Sequence, residues 1–124
     1  MQRDMELIRK ILFKIEDTVD NVNKTNIYIE GYTQEQVAYH CSLLYEGGYI
    51  HDCKIRYGSN GIYSFSIGRL TWDGHEFLDK IREDTIWNKT KDTIEKKGLP
   101  FVFDVVKAVS TEIIIGIIKG FVGL

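Results

Sequence analysis

The chain has 124 residues, with 16 Lys and Arg against 18 Asp and Glu, a formal net charge of -2. Its 44% hydrophobic and 27% charged residues are the composition of a folded domain, which excludes a disordered chain and a polycation that coats nucleic acid by neutralising phosphates. Two cysteines, Cys41 and Cys53, are too few to staple a small secreted fold, so both are expected to be reduced thiols in a cytoplasmic protein. Met1 to Lys14 is charged throughout and has no apolar run of the kind a secretory signal needs. Phe101–Leu124 is the most apolar stretch, but Asp104, Lys107, Glu112 and Lys119 interrupt it, so no membrane span is expected where about 20 apolar residues are needed.

Met5, Ile8, Ile11, Leu12 and Ile15 recur at three- and four-residue spacing, an apolar stripe on a helix from about Asp4 to Glu16, with Asp4 as its cap. The polar stretch Asp17–Asn26 reads as a loop, and Ile27-Tyr28-Ile29 as a very short strand that Gly31 ends. Thr33–Glu46 carries the clearest helix signals. Thr33 and Gln36 have the capping-box spacing, Val37, Cys41 and Leu44 form the inward stripe, and Gly47-Gly48 supply a left-handed stop. Ile50–Arg56 and Ile62–Leu70 read as hairpin strands joined through Asn60-Gly61, with Tyr63, Phe65 and Ile67 pointing one way and Ser64, Ser66 and Gly68 the other. Thr71 caps a helix to about Arg82. Asp84-Thr85 read as the cap of another, Ile86 to Lys97, which Gly98 and Pro100 end. Phe101–Leu124 is helical by its spaced charges. Its Val and Ile are weak helix formers, so its helicity depends on packing.

The order helix, short strand, capped helix, hairpin, helices is that of an α+β winged helix-turn-helix-like domain over residues 1–98, with a C-terminal apolar helix over 99–124. Leu43-Leu44-Tyr45-Glu46-Gly47-Gly48-Tyr49-Ile50 resembles the end of a recognition helix entering the first wing strand. Leu70-Thr71-Trp72-Asp73-Gly74-His75-Glu76-Phe77-Leu78 resembles the segment after the wing in many bacterial winged-helix regulators. More closely, Arg3–Leu12 and Asp84–Lys91 resemble a domain-of-unknown-function family of short bacterial and prophage proteins, to which YjcQ-like proteins are related. The resemblance spans roughly residues 3–110. It implies the winged-helix type and a bacterial or prophage setting, and it brings no catalytic residues with it. The chain departs from a DNA-reading helix-turn-helix in one respect: where the supporting helix belongs it has only the short polar segment Asn21–Tyr32.

The chemistry points away from catalysis. No glycine-rich phosphate loop follows a strand, and no Ser or Cys stands in a nucleophile motif. His51-x-Cys53, with His40 and Cys41, lacks any zinc-ligand spacing, so neither metal nor cofactor is expected, and Cys41 is simplest as a core residue. Asp73 and Glu76 suit the dipole of the helix that starts beside them, and Trp72 and Trp87 are simplest as core or interface aromatics.

Two binding readings remain. In the first, a protein partner docks on Tyr39, His40 and Leu43, outward on a helix that holds Glu35 and Glu46 and no Lys or Arg. In the second, a transcription regulator reads bases with Gln36, Tyr39 and His40 and holds phosphates with Lys54, Arg56 and Arg69. The lysines 89, 91, 96 and 97, diluted by Asp92 and Glu95, read more readily as a solvated helix face than as a phosphate track. The C-terminal helix is too apolar to stay bare. Its stripe of Val105, Val109, Ile113, Ile117 and Phe121 is expected to make a homodimer, with packing on its own domain as the next alternative and a membrane surface as the third.

Overall fold

The computed structural model describes residues 1–122, the Tyr63 side chain excepted; Gly123 and Leu124, the end of the apolar stretch, lie outside the described residues. The elements are α1 (Met5–Thr18), β1 (Lys24–Thr25), α2 (Gln34–Glu46), β2 (Cys53–Gly58), β3 (Gly61–Ile67), α3 (Trp72–Ile81), α4 (Asp84–Lys96) and α5 (Phe103–Val122). The α+β class holds. The three strands form one antiparallel sheet in the order β1-β3-β2.

The chain packs as two compact units, Met1–His75 and Glu76–Leu124, so the division falls inside α3 rather than at residue 98. The reason lies in α5, which packs along α4. Phe103 sets its ring 4.7 Å from that of Phe77, Phe101 lies 5.7 Å from Trp87, and Val106 is fully buried.

In the first unit, α1 buries the stripe that its spacing predicts, Met5, Ile8, Ile11, Leu12 and Ile15, together with Leu7, and packs on α2. The Asp4 carboxylate caps it by accepting from the backbone N–H groups of Glu6 and Leu7. The capping box of α2 forms as its sequence predicts: Thr33 Oγ1 accepts from the Gln36 N–H at 3.1 Å, and Gln36 Oε1 accepts from the Thr33 N–H at 2.9 Å. At the other end Gly48 takes φ +80°, and the Tyr49 N–H donates to the Leu44 carbonyl.

The short strand lies at Lys24–Thr25, not at Ile27–Ile29. Asn26 ends it with a φ of 55°. Its N–H donates to the Phe65 carbonyl and its side-chain Oδ1 accepts from the Phe65 N–H, so one polar residue completes the ladder. Ile27 is then free to leave the sheet and bury itself. The wing is longer at its tip than the Asn60-Gly61 signal suggests: pairing runs to Gly58↔Gly61, with an irregularity at Arg56/Tyr57. At its base, Ile50 bridges to Leu70. The second predicted cap, at Asp84-Thr85, does not form; α4 starts at Asp84, and Glu83 in the capping position makes no side-chain capping bond.

Two sequence motifs meet at the junction of α2 and α3. The Thr71 N–H donates to the Tyr49 carbonyl, its hydroxyl donates to the Gly48 carbonyl, and the same oxygen accepts from the Gly74 N–H. A Cβ on Gly74 would stand 2.1 Å from the Tyr49 carbonyl oxygen, so only glycine permits this approach. The Gly-Gly-Tyr stop and the Leu-Thr-x-x-Gly start are therefore two halves of one backbone joint.

Candidate functional site

The expected site residues fall into three groups once placed on these elements. The first is α2. Its outward positions are Glu35, Tyr39, Ser42, Leu43 and Glu46, spaced so that they follow one side of the helix. Tyr39 is exposed and Leu43 half-buried. Glu35 lies beside the wing turn, its Oε1 close to Gly61. Tyr45, which the spacing of α2 places at the flank of its buried stripe, is 47% exposed on another side of the helix.

His40 is the main correction, because it does not face outward. It is 1% exposed. Its Nε2 accepts from the Asp4 N–H at 2.8 Å, and its Nδ1 pairs with the Gln36 carbonyl at 2.7 Å. A backbone N–H can only donate and a carbonyl can only accept, which fixes the neutral ring with its proton on Nδ1. His40 thus ties the start of α1 to α2 and has no ring nitrogen left for a base or a partner. Gln36 is also engaged, because its side-chain oxygen serves the cap. Two of the three proposed base readers are therefore structural.

The second group lies on the sheet. The register pairs Lys54 with Ser66 and Arg56 with Ser64, and on the other side Thr25 with Ser66. Paired residues share a face, so two cations and three hydroxyl groups stand together there. Cys53 and Ile55 point the opposite way with buried Ile67 and Phe65. Arg69 is exposed but separate: it helps line a cleft of about 390 Å³ with Glu16, Val19, Asp20, Asn21, Leu70 and His75, where two carboxylates share its surroundings. Nothing in the sequence spacing signals this cleft, because its walls come from α1, the loop after it and the start of α3.

The third group is α5. Its covered side carries Val106 and Ser110, both fully buried, a stripe offset from the expected one. Val105, Val109 and Ile113 are half-exposed, Ile117 is 52% exposed and Phe121 91%. The five residues expected to associate are thus not one side of the helix: Val105, Val109 and Ile113 lie beside the covered stripe, while Ile117 and Phe121 lie in line with it and are exposed further along the helix.

The remaining candidates are dispersed. Cys41 is buried and burial pushes its thiol up; Cys53 is pushed up to about 11, by burial first and by neighbouring Asp52 second. Among the described residues, no three His, Cys, Asp or Glu side chains could together hold a metal ion. Of the two aromatics expected in a core or an interface, Trp87 is buried in the core and Trp72 is 78% exposed at the start of α3. Lys96 pairs with Asp92 and Lys91 sits over the Trp87 ring, as on a solvated helix face. No described helix is long and apolar enough to cross a membrane.

A family described as Hypothetical protein (DUF2513) matches residues 2–100. An uncharacterized protein of Haemophilus influenzae (strain Rd) is 41% identical over 117 residues, which cover 92% of this chain and 96% of that one. No solved structure matches.

Proposed function

The chain belongs to the DUF2513 family of hypothetical proteins, and for this member we propose a non-enzymatic winged-helix module that binds a protein partner through α2 and self-associates through α5. The winged-helix reading is supported by the element order and by the β1-β3-β2 antiparallel sheet, with β2 and β3 as the wing. In it, α2 takes the place of the recognition helix, and residues 26–33 replace the supporting helix with an irregular segment. A bacterial setting accords with the relative in Haemophilus influenzae.

The observation that carries the partner reading is the fate of Gln36 and His40. With His40 buried and the Gln36 side-chain oxygen committed to the cap, α2 offers Tyr39 and Leu43 between Glu35 and Glu46. An aromatic and an aliphatic side chain flanked by two carboxylates suit a partner helix with an apolar stripe and basic neighbours, and they oppose approach to phosphate.

One observation favours the second reading, a DNA-binding regulator: Lys54 and Arg56 share their sheet face with Thr25, Ser64 and Ser66, donors suited to phosphate oxygens. A single pair of experiments separates the two. A photo-crosslinking amino acid at position 39, introduced in the producing bacterium, is expected to give one discrete protein adduct that Leu43→Glu abolishes. Lys54→Glu with Arg56→Glu is expected to leave that adduct intact. Adducts to DNA, or salt-sensitive duplex binding that the double charge reversal removes, would overturn the partner reading in favour of the regulator.

A further inference from the structure

α5 outruns the helix that it packs on. Its 20 residues span about 30 Å and the 13 of α4 about 20 Å. The buried residues of α5, Val106 and Ser110, lie in its first half. From Gly116 to Val122 every residue is exposed, Ile117, Ile118, Phe121 and Val122 among them. A helical segment that is apolar on nearly every side needs a cover.

The charges on this helix say which cover fits. Val105, Val109, Ile113, Gly116 and Gly120 follow one side of α5, about a quarter turn from Val106 and Ser110. At Gly116 and Gly120 nothing lies within 4 Å of where a Cβ would be, so another backbone can come close. Glu112 and Lys119 stand along one edge of that side, seven residues or two turns apart. Both are exposed, and neither makes an ion pair among the described residues. The other charged residues of the helix, Asp104 and Lys107, pair with each other.

We propose that α5 pairs antiparallel with α5 of a second copy, about a two-fold axis beside Ile115–Gly116, so that Glu112 of each chain faces the partner's Lys119. This deepens the self-association reading above and rests on it. The antiparallel sense follows from the edge that the charges share. In an antiparallel pair an edge faces the same edge of the other helix, and the two-fold relation makes two Glu–Lys pairs at once. In a parallel pair that edge would face the opposite edge, which carries Val106, Ile113 and Ile117 and no charge to answer it.

The test is a charge cycle on the full chain, read as dimer dissociation by analytical ultracentrifugation. The unaltered chain is expected to dimerise. Glu112→Lys and Lys119→Glu each replace two attractive pairs with two repulsive ones, and each is expected to weaken the dimer about tenfold. The combined variant exchanges the charges and is expected to recover most of the loss. The altered positions are exposed, so the fold itself is not at stake. Single variants that weaken the dimer with no recovery in the combined chain, or no effect at all, would overturn the antiparallel seam while leaving self-association standing. A chain that stays monomeric at every concentration would overturn both, and one that then floats with lipid vesicles would make a bilayer surface the cover.

Discussion

Replacing His40 with alanine removes both hydrogen bonds of its ring, leaves the Asp4 N–H without its acceptor, and opens a cavity between α1 and α2. The expected loss of stability is about 2–4 kcal/mol, measured by chemical denaturation. A site residue on the helix surface would cost far less, so the same measurement separates the structural role from a binding one. The thiols give a second test at this scale. Burial, with Asp52 beside it, holds the Cys53 thiol at about 11, above the ordinary thiol range, and burial pushes Cys41 up as well. A group that ionises less readily in the folded state contributes its stability below the unfolded pKa and loses it as pH rises through the folded one. Stability is therefore expected to fall as pH climbs above about 9. Replacing Cys53 with serine should flatten part of that fall in a denaturation series from pH 8 to 11. These residues also mark what spacing reveals. Cys41 sits on a visible stripe of α2, so its burial is readable there. His40 stands next to that stripe, and what turns it inward is a backbone N–H 36 residues away, which no local pattern records.

The elements legible in the sequence are those whose ends are set by their own residues. The Thr33–Gln36 box and the Gly48 stop bound α2 because each bond is local. Thr71 and Gly74 are legible as a motif, but their reason is tertiary: the Tyr49 carbonyl accepts from Thr71 and leaves no room for a Cβ at Gly74. The short strand is displaced because Ile27 looks like a strand residue yet gains more by burial than by pairing. Asn26, a turn former, makes the last sheet bonds in its place. In the wing the alternation is correct for Phe65 and Ile67, and the register that it implies places Lys54 and Arg56 beside Ser66 and Ser64. Arg69, expected as their companion, sits past the end of β3, in the cleft with Glu16 and Asp20. The candidate sites are thus readable as element faces. They are not readable where residues from separate elements converge.

At the scale of the molecule, α5 does two things with one sequence. Its first half, with Phe101 just before it, completes a core: Phe101 lies against Trp87, Phe103 lies against Phe77, and Val106 and Ser110 are enclosed. From Gly116 to Val122 every residue is exposed. Packing within its own unit and the proposed association with a second copy are therefore compatible, because the proposed seam follows a side of the helix about a quarter turn from Val106 and Ser110. Two truncations distinguish the halves. Every described residue that a chain ending after Ile115 loses is exposed, so its thermal stability as a monomer is expected to change by less than about 1 kcal/mol. It also loses Lys119 and the apolar tail, so light scattering is expected to find it monomeric where the full chain dimerises. A chain ending after Gly98 strips the cover from Trp87 and Phe77. At about 1.5–3 kcal/mol for each large apolar side chain involved, the loss approaches the whole stability of a small domain. That chain is expected to unfold at or near room temperature. If it instead stays folded, with an unshifted melting curve, α5 is a pure assembly element. Were the chain ending after Ile115 to dimerise as tightly as the full protein, the seam would lie in the first half, around Val105 and Val109.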